Sequence, residues 1–137
     1  MKTIEVCPST LMPRYSGYSP RAVKTLFDGV AVSPIIDIDF ESERNQQQAM
    51  ENMTNMSISG AQEKFSAVID NGFIRLSHEG EQATHILKPA PFNRSLSTRK
   101  QIPANEHLTM QIAEQVYGIH TAANGVCFSS KGQPVYI

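Results

Sequence analysis

Three polar features along the chain have the chemistry needed to hold a phosphate. The stretch "SISGAQEK", residues 57 to 64, contains small residues whose backbone N–H groups can approach a phosphate closely. Lys88 in "THILKP" supplies a cation near the end of an expected strand. Glu106 in "NEHL" supplies a carboxylate in the first turns of an expected helix.

A loop over phosphates, a strand lysine and a helix glutamate paired with it are the parts of a protein kinase small lobe. The spacing alone also fits a simpler interpretation, which the residues by themselves favour. One glycine falls short of the G-x-G-x-x-G pattern, and most sheet domains contain a lysine and a glutamate. The Ser-Gly pair would then make a turn, Lys88 would be a charge at a strand end, and Glu106 would be a solvated helix residue.

The composition predicts one folded domain. The 137 residues are 40% hydrophobic and 18% charged, enough to build a core. A net charge of −1 gives no reason to expect nucleic acid or a membrane surface as the partner. No apolar run resembles a signal peptide or a membrane span, and Cys7 and Cys127 stand far apart, which predicts a cytoplasmic, reducing location.

Residues 1–50 predict a lead-in segment with a short helix. Ser19-Pro20 provides an N-cap followed by proline at the first helical position, and Gly29 ends the helix. "VSPIIDIDF" predicts a short strand or an extended linker. "ESERNQQQAMENM" predicts a second helix because it has good helix formers and no glycine or proline.

Residues 51–137 predict an α+β domain, an antiparallel sheet with one packed helix. The segments "KFSAVID", "FIRLS" and "ATHILKP" alternate apolar and polar residues, and Asn71-Gly72 is a hairpin turn, so we expect a three-stranded meander. Two short strands, "GVCFSS" and "QPVYI", follow the helix. Because Ile137 falls within an expected buried strand, the chain looks like a truncated piece of a longer protein.

The predicted helix covers "PANEHLTMQIAEQVYGI", with Pro103 near its start and Gly118 as its C-cap. Leu108, Ile112 and Val116 recur at every fourth position along one side of it. This spacing predicts that the three side chains form the buried face of the helix.

Four segments in order resemble the HipA-like serine/threonine kinases of bacterial toxin–antitoxin systems. They are "SISGAQEKFSAVI", "THILKP", "NEHLTMQIAEQVYGI" and "PVYI". The short N-terminal segment with its "CP" resembles the HipT branch of that family. The resemblance implies a kinase small-lobe-like fold, with residues 51–137 as an apparently truncated N-terminal lobe of the kinase.

The resemblance also implies roles for individual residues. Lys88 would contact the α- and β-phosphates of ATP, and Glu106 would orient Lys88. Ser57 and Ser59 are candidates for autophosphorylation, which would place negative charge where the triphosphate must lie. The loop over ATP would consist of Ser59, Gly60, Ala61, Gln62, Glu63 and Lys64.

The family's catalytic aspartate and its Mg²⁺ ligands lie beyond the last strand of this chain, so we expect no catalytic or metal-binding residue here and no activity of the chain alone. The implied partners are an antitoxin and the missing C-terminal kinase lobe, with an aminoacyl-tRNA synthetase as a substrate of the complete enzyme. An alternative remains open. The chain would then be a non-catalytic module that binds the antitoxin or the missing lobe and has no nucleotide site.

Overall fold

The computed structural model describes residues 5–55 and 62–137 and contains helices and strands in the predicted α+β arrangement. The helices are α1 (Pro20–Leu26), α2 (Glu43–Asn55) and α3 (Ile102–Gln115), and a 3₁₀ turn at Arg99–Gln101 leads into α3. The strands are β1 (Ile35–Ile36), β2 (Phe65–Asp70), β3 (Phe73–Leu76), β4 (His85–Leu87), β5 (Val126–Ser129) and β6 (Pro134–Tyr136).

The predicted start of α1 is confirmed. The Ser19 side chain accepts a hydrogen bond from the Ala22 N–H, and Pro20 opens α1. This cap satisfies one of the backbone donors that a helix start leaves without a partner. The segment that allowed either a strand or a linker forms β1, which is two residues long.

The strands form two three-stranded sheets, whereas the sequence predicted one. The first sheet has the order β3-β2-β4 and is antiparallel throughout. The second has the order β1-β5-β6, with β1 parallel to β5 and β6 antiparallel to it. A bridge between Lys88, directly after β4, and Tyr136 at the end of β6 joins the two sheets.

The predicted meander is wrong in its strand order. The Asn71-Gly72 turn does join β2 to β3, and both residues have positive φ, 49° and 81°, as a type I′ hairpin turn requires. However, β4 pairs with β2 and not with β3. Arg75 on β3 donates two hydrogen bonds of 2.9 Å to the carboxylate of Glu81, which lies in the connection between β3 and β4 and is thereby fixed to the sheet.

Buried side chains from both halves of the sequence form one core. Those from the first fifty residues include Leu26, Phe27, Ile36 and Phe40, and those from the later strands include Phe65, Leu87, Cys127 and Val135. The two cysteines are free thiols and fully buried. The division of the chain at residue 50 stays a prediction, and both of its parts contribute to the same core.

Candidate functional site

The structure brings Lys88 and Glu106 together. The backbone of Lys88 exchanges two hydrogen bonds with Tyr136, at 2.9 and 3.0 Å, which fixes the base of its side chain. Glu106 lies near the start of α3. The Lys88 Nζ donates to Glu106 Oε1 over 2.6 Å, so a cation from the sheet and a carboxylate from the helix form one ion pair.

The ion pair is partly open to solvent. The side chains of Lys88 and Glu106 are 31% and 28% exposed. The Lys88 Nζ also lies over the Tyr136 ring, 5.3 Å from its centroid, within the range of a cation–π contact. Burial, and then the negative charge of Glu106, raise the pKa of the Tyr136 phenol, so this ring stays neutral. Lys88 is therefore held in place while part of its surface stays accessible.

The end of the expected phosphate loop is attached to the segment that follows Lys88. The Gln62 amide donates to the Pro89 carbonyl, and the Phe92 N–H donates to the Glu63 carboxylate, both over 3.2 Å. Lys64 is half-buried at the entry to β2. The other expected loop residues lie outside the described part of the chain: Ser57, Ser59, Gly60 and Ala61.

An open cavity of about 780 Å³ lies next to this segment. It is lined by residues 37–41 and by parts of 89–100 and 129–135, which include Pro89 but neither Lys88 nor Glu106. Its charges are mixed, and the Arg99 guanidinium is already paired with Glu41 at 3.3 Å. The cavity therefore lies beside the residues that follow Lys88, and the ion pair is not part of its lining.

The predicted rotation of α3 is wrong. Leu108, Ile112 and Val116 were expected to form its buried face, but they are 48%, 43% and 70% exposed. The buried residues of α3 are Pro103, His107 and Gln111. Successive residues turn by about 100° around a helix. Because His107 is buried in place of Leu108, α3 is rotated by about 100° from the predicted orientation.

Ile112→Ala should therefore destabilise the chain by no more than about 1 kcal/mol, because the side chain already meets water. Leu87→Ala, at a position with no exposure, is the comparison and should cost about 2–5 kcal/mol. Urea denaturation followed by circular dichroism measures both. A loss for Ile112→Ala as large as that for Leu87→Ala would place Ile112 in the core.

His107 is the one buried side chain in residues 5–51 and 62–137 with a polar atom that lacks a hydrogen-bond partner. Its Nδ1 lies 2.9 Å from the Asn124 side-chain oxygen, and its Nε2 is the unpartnered atom. Burial lowers the pKa of His107, although the hydrogen bond to Asn124 opposes this. The folded chain therefore binds this proton less readily than the unfolded chain does.

The chain should accordingly lose stability as the pH falls below about 6.5, the ordinary pKa of histidine, because protonation of His107 favours unfolding. The measurement compares wild type with His107→Asn by urea denaturation at about pH 7.5 and about pH 5. Other titrating groups are shared and cancel in the difference. An equal loss of stability in the two proteins would mean that His107 titrates normally in the fold.

Other kinds of site find no support in the described ranges, residues 5–55 and 62–137. They contain no group of three or more histidine, cysteine, aspartate or glutamate side chains placed to hold a metal ion. None of the helices in these ranges combines the length and the apolar character needed to cross a lipid bilayer.

Comparison with known protein families shows which family the later part of the chain resembles. The family of HipA-like C-terminal domains matches residues 56–137, which include the end of the loop, Lys88 and Glu106. No curated protein matches the chain. Since the family match covers more than half of the sequence, the chain belongs to the HipA-like C-terminal domain family.

Proposed function

We propose that this chain binds ATP as the N-terminal lobe of a HipA-like serine/threonine protein kinase of a toxin–antitoxin system, in the HipT branch. The observation that carries the proposal is the 2.6 Å ion pair between Lys88 and Glu106. An ammonium group has three donors, and among the described residues Glu106 occupies one of them. The others are available to phosphate oxygens, while Glu106 keeps the amine in position.

The loop of residues 59–64 would lie over the phosphates. The attachment of Gln62 to Pro89 and of Glu63 to Phe92 supports this, because it ties the end of the loop to the segment that begins one residue after Lys88. Backbone N–H groups of the loop and the Lys88 ammonium would then contact the same triphosphate.

Phosphorylation of Ser57 or Ser59 would switch such a site off. A phosphoserine adds about −1.5 to −2 charges at neutral pH, and this charge would repel the triphosphate. Phosphopeptide mass spectrometry of the active, complete kinase would show one of the two serines modified. An active kinase with both serines unmodified would rule out this switch.

Phosphoryl transfer would need groups from a second lobe. A protein kinase supplies its catalytic base from the catalytic loop and its Mg²⁺ ligands from that loop and the Asp-Phe-Gly segment. We assign nucleotide positioning to this chain, and the catalytic base and the metal ligands to a C-terminal kinase lobe that binds it. The antitoxin as a partner and an aminoacyl-tRNA synthetase as a substrate belong to that complete enzyme.

The test is calorimetric titration of the chain with ATP, ADP and AMP, each with Mg²⁺. Contacts from Lys88 to the α- and β-phosphates predict that ATP and ADP bind more tightly than AMP, which lacks the β-phosphate. Equal affinity for all three nucleotides would contradict the assigned role of Lys88. The same titration repeated with the C-terminal lobe present should give tighter binding, and absence of binding in both experiments would overturn the proposal.

A second candidate function is a non-catalytic module that binds the antitoxin or the missing lobe. The observation that favours it is the exposed apolar side of α3, formed by Leu108 and Ile112 and continued by Val116 at the end of the helix. Exposed apolar side chains grouped on one face mark many protein interaction sites. A wild-type chain that binds the antitoxin or the missing lobe, but binds no ATP even with that lobe present, would support this function.

A further inference from the structure

We infer that His107 and Asn124 are positioning residues that fix the rotation of α3 and so hold Glu106 against Lys88. Together with Gln111 they form a buried polar cluster, which we call the α3 latch. The significance of the latch for nucleotide binding rests on the proposed function, whereas its effect on the ion pair does not.

One amide group forms the centre of the latch. The Asn124 Nδ2 donates to the Ala122 carbonyl over 2.8 Å, which identifies Oδ1 as the acceptor side of the amide. Oδ1 accepts from His107 Nδ1 at 2.9 Å and from Gln111 Nε2 at 3.1 Å. His107, Gln111 and Asn124 are only 3%, 6% and 3% exposed. Two donors one turn apart on α3 are thus bound to the same buried oxygen.

The rotation of α3 needs such a device because apolar burial does not provide it. The side of the helix that carries Leu108 and Ile112 faces solvent, and the side that faces the protein carries His107 and Gln111. Burial of apolar surface by itself would favour turning Leu108 inward, a rotation of about 100°. Glu106 would turn by the same angle and leave Lys88.

The unpartnered nitrogen of His107 also indicates a role other than stability. Burying a nitrogen without a hydrogen-bond partner is unfavourable, and among the described residues His107 Nε2 is the one buried side-chain atom in that state. An apolar side chain of similar size would avoid this disadvantage. Compared with such an apolar side chain, His107 contributes the N–H donor at Nδ1, which binds Asn124.

The latch also connects α3 to the N-terminal segment. The Ser9 hydroxyl donates to the Asn124 backbone carbonyl over 2.7 Å. Gln115, one turn after Gln111, donates to Gln111 Oε1 over 2.7 Å and to the Thr10 carbonyl over 3.0 Å. Ser9 and Thr10 lie outside the family match. Residues before the shared domain thus help to hold the helix that carries Glu106.

The experiment measures the coupling between Lys88 and Glu106 in the whole chain without nucleotide. A double-mutant cycle with Lys88→Met and Glu106→Ala, followed by urea denaturation, gives this coupling, because each substitution removes one partner of the ion pair. It is measured in wild type, in His107→Asn and in His107→Leu. Asparagine and leucine have nearly the same shape, and asparagine keeps an N–H donor at the position of His107 Nδ1. The two backgrounds therefore form a matched pair that differs in the hydrogen bond to Asn124.

The coupling should persist in His107→Asn and be lost in His107→Leu. A folded His107→Leu protein with the wild-type coupling would overturn the inference, and so would loss of the coupling in His107→Asn. Should His107→Leu fail to fold, Gln111→Met is the deciding background, because it removes one of the two bonds to Asn124 at nearly constant volume. A reduced coupling there supports the latch and an unchanged coupling overturns it. Because no nucleotide is present, these outcomes are independent of the ATP titrations.

Discussion

Replacing Lys88 with methionine should weaken ATP binding by about 10- to 100-fold. The ammonium group would be replaced by an uncharged side chain of similar length, and a hydrogen bond between charged partners contributes about 1.5–3 kcal/mol. Each 1.4 kcal/mol changes a dissociation constant about tenfold. Calorimetric titration of the wild type and the variant with Mg²⁺ and ATP measures this change in affinity. The substitution should weaken the binding of AMP less, because AMP lacks the β-phosphate.

The matched control is Lys24→Met, the same substitution at an exposed lysine in the last turn of α1. It should leave the affinity for ATP unchanged. Lys88→Met should remain folded, because an ion pair whose partners are about 30% exposed contributes about 0.2–1 kcal/mol to stability, which a double-mutant cycle can measure but which is too little to unfold the chain. A folded Lys88→Met protein with wild-type affinity for ATP would remove Lys88 from the proposed site.

Glu106→Gln tests the positioning of Lys88 by itself, because this variant leaves the positive charge of Lys88 unchanged. Glutamine can still accept a hydrogen bond from the amine, but it lacks the negative charge that holds the amine in place. If Glu106 acts by orienting Lys88, this variant should lie between the wild type and Lys88→Met in its affinity for ATP.

Local features of the fold were predictable because a few neighbouring residues determine them. The Ser19-Pro20 cap of α1 and the Asn71-Gly72 hairpin are examples, since a hydroxyl acceptor and two positive φ angles are requirements that particular residue types meet. The prediction that Gly118 caps α3 is wrong by two residues, since the helix ends at Gln115 and Val116 is its C-cap, although Gly118 does have a positive φ of 63°.

The rotation of α3 was not predictable from apolar spacing. The spacing of Leu108, Ile112 and Val116 identifies one side of the helix, and the assumption that this side is buried failed. The sequence does contain a second signal, since His107 and Gln111 are also four residues apart. Their burial depends on Asn124, thirteen residues after Gln111, and a contact of this kind appears only when the chain is folded.

The strand order was missed for a similar reason. A short turn joins β2 to β3 and determines their pairing, but residues 77–84 are long enough to place β4 on either side of the hairpin. The pairing of Lys88 with Glu106 was anticipated from the resemblance and not from spacing. Spacing alone gave no reason to pair two residues that lie 18 positions apart in the sequence. The ladder of β4 on β2 and the bridge to Tyr136 are what place Lys88 opposite α3.

Phe65→Ala should give a large loss of stability, about 3–5 kcal/mol. Phe65 opens β2 and is 1% exposed. Its ring lies 5.1 Å from that of Phe40 and 6.4 Å from that of Phe92, and its backbone is paired with Leu87 on β4. Removing the ring leaves a cavity that three separate segments line, and they cannot all close around it. Urea denaturation monitored by circular dichroism measures the change.

Phe73→Ala is the control, because Phe73 lies on the edge strand β3 and is 62% exposed. It should change the stability by about 1 kcal/mol or less. A similar small change for Phe65→Ala would show that the segments around Phe65 can collapse into the space left by the ring. Phe92 also binds Glu63 through its N–H, so the cavity left by Phe65 lies beside one of the contacts that tie the loop to the segment after Lys88. In the folded fraction, Phe65→Ala should therefore also weaken ATP binding, whereas Phe73→Ala should not.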